Sequence, residues 1–209
     1  MSTWQKYGGD AERWSENAYA DARGYLTHRA ELVQTLGPRL EPGDLVLDLA
    51  CGDGGLGDFL PEQRYVGVDA SREMVESARR RGREVVEADL NNYAPPEPVQ
   101  ATTIFRAIYY ARDRRALLMR IAGYTEKKLV FDLNPRQFTL AEVGADLRAA
   151  GLDGLALRPF FVPQTRALAA PVARLLRALE RTGPSARLLL RARFTYLCAA
   201  WRIGPGTKR

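Results

Sequence analysis

Leu45-Val46-Leu47-Asp48-Leu49-Ala50-Cys51-Gly52-Asp53-Gly54-Gly55-Leu56-Gly57 is the stretch that decides how this chain folds. Its first half is an apolar run without strict alternation, the pattern of a parallel strand covered on both faces. Its second half is rich in glycine. Gly52 and Gly54 permit positive φ and let backbone N–H groups approach a ligand closely. A helix N-terminus is expected directly after them. Gly52–Gly57 also fits G-x-G-x-x-G, the dinucleotide fingerprint, which alone is a weak signal.

On either side, short apolar runs alternate with helical patterns. Strands are expected at Leu45–Ala50, Tyr65–Asp69, Glu84–Glu87, Ala101–Arg106, Lys128–Leu133, Leu155–Phe161 and Phe194–Trp201. Helices are expected at Ser71–Arg81, Asp113–Ala122 and Leu140–Ala150. This spacing argues for a doubly wound parallel sheet. Two segments stand outside it. Residues 1–43 form an N-terminal helical extension ending in a helix over Tyr19–Leu36, stopped by Gly37-Pro38. Residues 44–209 form the main domain, with a helical insert over 163–193. Pro171 suits the first turn of its first helix, and Ala186–Arg193 starts a second.

Two acids give the glycine loop its context. Asp69 ends the second strand, in Tyr65-Val66-Gly67-Val68-Asp69-Ala70-Ser71, where a carboxylate can accept both hydroxyls of a ribose. Asp89 follows the third strand, in Glu87-Ala88-Asp89-Leu90, where an adenine amino group could be met. Each could instead cap the element that follows. Ser71 serves equally well as a cap, so that role does not by itself explain Asp69.

These residues resemble the motifs of class I, Rossmann-like S-adenosylmethionine-dependent methyltransferases. LVLDLACGDGG is similar to the family's first motif, YVGVDAS with Met74 to its second, and EADL to its third. The resemblance covers roughly residues 42–161 and the closing strand. It implies a seven-stranded sheet whose last strand, FTYLCAAWR, runs antiparallel. It implies S-adenosylmethionine as cofactor, with Asp48, Ala50 and Gly52 along the methionine moiety and Asp69 on the ribose. Ala70 and Met74 would lie against the adenine, Asp89 and Leu90 would meet its edge, and Arg106 would border the methionine side. Residue 50 is Ala where the family often has Gly. Cys51, with no base beside it, reads as a small packing residue.

Methyl transfer from a sulfonium is an in-line displacement, so the protein mainly aligns the partners and excludes water. A hydroxyl acceptor usually needs a base as well. The segment after the fourth strand, Phe105 to Asp113, lacks the signatures of nucleic-acid base methyltransferases, so no nucleic-acid partner is expected. No acidic metal cluster is apparent. Tyr109 and Tyr110 either line an acceptor pocket or divide between core and surface. His28, the sole histidine, is either a base on a lid helix or an exposed helical side chain. Trp14, Tyr19 and Tyr25 either close over the cofactor or staple the first helix to the sheet. The acceptor is expected to be a small or lipid-like molecule. The competing readings are a nicotinamide-dependent oxidoreductase and a non-catalytic module that binds S-adenosylmethionine.

Composition bounds the rest. The 209 residues are 46% hydrophobic and 27% charged, which suits a soluble globular protein and excludes global disorder. Two cysteines are too few for a disulfide framework. The first residues lack the apolar core of a secretory signal, so a reduced, cytoplasmic setting is expected. The net charge of +6 is uneven, with eleven Lys/Arg and one acid, Glu180, from Arg158 onward. In the insert, Val172, Leu175, Leu176 and Leu179 form an apolar stripe flanked by arginines. It is expected either to wall the acceptor pocket, to touch an anionic membrane, or to pack on the sheet with its arginines solvated.

Overall fold

A computed structural model describes residues 11, 14–182 and 195–204. Seven strands form one sheet: β1 (Leu45–Leu49), β2 (Arg64–Asp69), β3 (Glu84–Glu87), β4 (Val99–Ile104), β5 (Thr125–Leu133), β6 (Gly154–Phe160) and β7 (Thr195–Trp201). Their order is β3-β2-β1-β4-β5-β7-β6. β1, β2, β3, β4 and β5 pair in parallel, while β7 runs antiparallel to both β5 and β6. This is the Rossmann-like sheet with an antiparallel last strand. Among the described residues six α-helices accompany it: α1 (Trp14–Ala18), α2 (Ala22–Thr35), α3 (Arg72–Arg80), α4 (Arg114–Tyr124), α5 (Leu140–Ala149) and α6 (Ala170–Glu180).

Side chains alternate across a strand, so each covered strand feeds two cores. On one face Leu47, Leu49, Ile104, Phe131 and Cys198 meet Leu117, Leu118 and Ile121 of α4 and Val143 and Leu147 of α5. On the other, Val46, Ala101, Val130, Leu197 and Ala199 meet Leu26, Ala30, Leu32 and Val33 of α2. Through α2 the N-terminal extension therefore supplies a layer of the core.

Local chemistry sets the ends of the elements. Asp21 accepts the Gly24 N–H at 2.8 Å, so α2 begins three residues after the expected Tyr19. At its other end Lys128 Nζ donates to the carbonyls of Gln34 and Leu36, at 3.2 and 2.8 Å. Burial pushes that ammonium down to about 7. Ser71 caps α3, and a reciprocal Thr139–Glu142 capping box opens α5. The glycine loop departs from expectation: a five-residue 3-10 turn, Gly55–Phe59, follows it rather than an α-helix. Gly55, Gly57 and Pro61 crowd this stretch and oppose a regular helix. Pro171 does lie in the first turn of α6. Phe194 and the expected helix at Ala186–Arg193 lie outside the described residues.

Candidate active site

The chain leaves β1 through a left-handed residue, Ala50 at φ +57°, and turns again at Gly52, φ +59°. A β-carbon on Gly52 would stand 3.1 Å from the Trp14 ring, so both its backbone angle and its surroundings favour glycine. Asp69, at the end of β2, holds the turn. Its Oδ2 accepts the Gly52 N–H at 2.8 Å and its Oδ1 accepts the Ser71 N–H at 2.9 Å. One carboxylate thus ties the loop after β1 to the loop after β2. Burial raises its carboxyl, opposed by those N–H groups. Cys51 folds back onto β2, where Gly67 leaves room: a β-carbon there would meet the sulfur at 2.6 Å. Burial pushes the Cys51 thiol well up, consistent with packing rather than reaction.

Asp48 is buried in the sheet face just before the turn. It lies opposite Thr103 in the β1–β4 register, and Thr103 donates to its Oδ1 at 2.6 Å. Tyr65, diagonal to it on β2, donates to Oδ2 at 2.8 Å. Burial pushes the carboxyl up to about 6, although both hydroxyls pull it down.

These groups border a cleft at the carboxyl ends of β1, β2 and β4, the position where ligands bind in open parallel sheets. Asp48, Ala50, Gly52, Asp69, Ala70, Met74, Leu90 and Arg106 all line it. Tyr109 and Tyr110 do too, on a 3-10 turn after β4, with ring centroids 4.9 Å apart. Trp14 and Tyr19, from the N-terminal segment, line it as well. Asp89 is turned elsewhere. Its Oδ1 accepts both the backbone and side-chain N–H of Asn91, and its Oδ2 accepts from Arg112, each at 2.8 Å. Its neighbours Ala88 and Leu90 face the cleft instead.

The expectations for His28 are corrected. It is neither exposed nor at the cleft. It is buried beneath α6, its Nε2 2.6 Å from Glu180 Oε2 and its ring stacked on Phe160 at 5.2 Å. Glu180 Oε1 also accepts the Phe161 N–H at 2.7 Å. The only acid of the basic C-terminal segment is thus a buried clamp between α6, α2 and the end of β6. This clamp explains a second correction: among the described residues, none of the insert lines the main cleft. Leu176 and Leu179 pack inward, while Val172 and Leu175 remain exposed. Arg181 reaches Glu31, and Arg177 reaches the Gly24 carbonyl. Gln164 of the insert donates to the Tyr25 hydroxyl at 3.3 Å, behind the site.

The sequence reading overlooked Arg29 and Asp132. Arg29 lines the cleft while 97% buried, its exposure being 3%. Its Nη2 donates to the Tyr25 hydroxyl at 2.7 Å, and its guanidinium lies 4.2 Å from the Phe105 ring centroid. Asp132 Oδ1 accepts the Arg106 N–H, and its Oδ2 stands 3.7 Å from Arg29. Two signals were present. Arg29 falls on the apolar face that carries Tyr25, Leu26 and Val33. Leu129-Val130-Phe131-Asp132-Leu133 also repeats the pattern Leu45-Val46-Leu47-Asp48-Leu49, placing a second acid at an equivalent strand end.

Comparison with known proteins agrees with this architecture. Residues 46–128 match the family described as a methyltransferase domain. A trans-aconitate 2-methyltransferase from Azoarcus sp. (strain BH72) is 32% identical over 111 residues, which cover 50% of this chain and 44% of the relative. The match spans less than half of that curated relative's length. A methyltransferase from Haloferax volcanii, solved in complex with the Trm112 activator, superposes over 97% of this chain and 99% of its own, with TM-score 0.66 at 18% identity. Magnesium protoporphyrin IX methyltransferase from Synechocystis PCC 6803, solved with S-adenosylmethionine, covers 97% and 85%, with TM-score 0.57 at 16% identity. At these identities the likeness to the solved structures is one of fold. The chain thus carries a match to a methyltransferase domain over residues 46–128 and shares the fold of Rossmann-like methyltransferases.

Proposed function

We propose that the protein transfers a methyl group from S-adenosylmethionine to a small-molecule acceptor held in the cleft. The observation that carries this reading is the turn after β1, left-handed at Ala50 and Gly52 and pinned by Asp69 from β2, opening on the cleft. The match to a methyltransferase domain and the Synechocystis neighbour with its bound S-adenosylmethionine support it.

The residues present fit that cofactor. Gly52 bares backbone where a side chain would strike Trp14. Each Asp69 oxygen, having accepted one N–H, keeps a lone pair for a ribose hydroxyl. Met74 and Leu90 offer apolar walls for a purine beside Ala70. Asp48, Ala50 and Arg106 border the remaining length, where the methionine portion would run.

When bound, S-adenosylmethionine supplies an electrophilic methyl on a sulfonium together with its leaving group. The chain's own part is alignment and exclusion of water. Trp14, Tyr19, Tyr109 and Tyr110 are among the aromatic side chains lining the cleft. His28 is spent on Glu180 and takes no proton from an acceptor.

Calorimetry with S-adenosylhomocysteine and with oxidised and reduced nicotinamide dinucleotides tests the reading. Binding of S-adenosylhomocysteine alone, followed by transfer of labelled methyl into a metabolite extract, is expected. Binding of a nicotinamide dinucleotide instead would transfer the site to hydride chemistry, and cofactor binding without transfer into any extract would leave a binding module.

A further inference from the structure

We propose that Ser15 and Asp53 are positioning residues of the cofactor site, an inference that rests on the methyltransferase reading above. Together they form a latch that shuts α1, and with it Trp14, onto the glycine loop and opens to let the cofactor exchange. Asp53 belongs to that loop and is 1% exposed. Its Oδ1 accepts the Ser15 hydroxyl at 2.5 Å and the Gly55 N–H at 3.2 Å. Its Oδ2 accepts the Ser15 N–H at 3.1 Å and faces Arg81 Nη1 at 3.4 Å. Both donors of Ser15 therefore converge on one carboxylate 38 residues away. Arg81, just past α3, also donates to Asp58, so the carboxylate is braced from behind. Gly55 makes the approach possible, since a β-carbon there would stand 2.4 Å from the Ser15 hydroxyl oxygen.

The anchoring of α1 is what suits it to open. It is five residues long, too short to hold its shape without tertiary contacts. Ser15 is its only buried residue, whereas α2 buries Tyr25, Leu26, Ala30, Leu32 and Val33. Hydrogen bonds to a carboxylate exchange for water at modest net cost, while lifting an apolar face out of a core forfeits the burial itself. Apolar packing thus fixes α2 to the sheet, and polar bonds hold α1 at its one buried point. What they hold in place is Trp14, whose ring borders the cleft against Gly52. On the methyltransferase reading Gly52 bares its backbone to the cofactor, so a shut α1 narrows the way in and out.

Two measurements on the full chain test the latch. Hydrogen exchange without ligand reads α1 directly. Ser15→Ala is expected to speed exchange over residues 14–18 roughly tenfold, with α2 unchanged. Gly55→Ala, whose β-carbon would displace the Ser15 hydroxyl, should speed it too without deleting a polar group. Unchanged exchange over α1 in Ser15→Ala would overturn the proposal. Surface plasmon resonance with S-adenosylhomocysteine then reads the positioning role. In Ser15→Ala association and dissociation should both accelerate, each at least about threefold, with the dissociation constant changing less than either rate. A merely structural contact would leave association unchanged or slow it, and that result would overturn the proposal. If the wild type binds no S-adenosylhomocysteine, the methyltransferase reading itself fails, and exchange over α1 still reads the bond between Ser15 and Asp53.

Discussion

Asp132 Oδ1 accepts the backbone N–H of Arg106 at 2.7 Å, joining the end of β5 to the left-handed residue that leaves β4. Its other oxygen faces Arg29, so one buried carboxylate anchors the Arg106 backbone and faces the Arg29 guanidinium. Asp132→Asn retains an oxygen for the Arg106 N–H and removes the charge facing Arg29. Removing one side of a buried pair typically costs about 3 kcal/mol or more, and Asp132→Ala should cost more than the asparagine variant. Urea unfolding checks both, and an asparagine variant as stable as wild type would separate Arg29 from Asp132.

Asp69 ties the Gly52 and Ser71 loops together and, on the proposed function, would also hold the ribose. Asp69→Ala is expected to weaken S-adenosylhomocysteine binding at least about tenfold, since a hydrogen bond to a charged acceptor contributes about 1.5–3 kcal/mol. Asp89→Ala should cost less, because its oxygens serve Asn91 and Arg112. Calorimetry on folded variants decides. A larger loss at Asp89 would exchange the two assignments.

His28→Gln should retain methyl transfer and its pH profile while losing stability. Its loss deprives the buried Glu180 of a partner at 2.6 Å, which costs about 1–3 kcal/mol. A collapse of turnover in a variant that still binds S-adenosylhomocysteine would restore His28 as a base.

The Asp48 carboxyl lies at about 6, above its ordinary 3.8, because burial disfavours the charge. For a raised acid, the contribution to stability is complete below the unfolded value and is lost as pH rises through the folded one. Asp48→Asn removes that dependence. Its stability relative to wild type should therefore climb between pH 4 and pH 7, by about 3 kcal/mol at most. Unfolding at several pH values measures the difference, and a flat difference would mean that Asp48 titrates normally.

Ala50 holds φ +57° with a β-carbon, a conformation that costs about 1–2 kcal/mol outside glycine. Ala50→Gly is expected to stabilise the protein modestly, with part of the gain offset by the greater freedom of the unfolded chain. A lower urea midpoint in the glycine variant would show that the strain is relieved elsewhere.

Most of the fold was legible because its strands are covered on both faces and therefore read as apolar runs. β3 matches its expected span without change, and β1, β2 and β6 differ from theirs by a residue at one or both ends. The misreadings share a cause. The 3-10 turn after the glycine loop was taken for a helix because strand–turn–helix is the usual continuation, whereas Gly55, Gly57 and Pro61 oppose it. His28 read as either a lid base or an exposed side chain because its partner, Glu180, is 152 residues away.

Periodicity and punctuation act over a few residues, so the sequence alone determines the strands, the turn at Gly52 and the acids at strand ends. Convergence acts across the whole chain. Residues 29, 105, 106, 132 and 160 lie on α2 and at the ends of β4, β5 and β6, and their sequence separations carry no mark of proximity. Only the sheet order, which sets β4 beside β1 and β5 beside β4, with α2 packed on that face, surrounds Arg29 with aromatic rings and turns Asp132 toward it. A guanidinium on a helix is ordinarily solvated; tertiary packing makes this one a buried donor, because burial removes the water that would otherwise satisfy it.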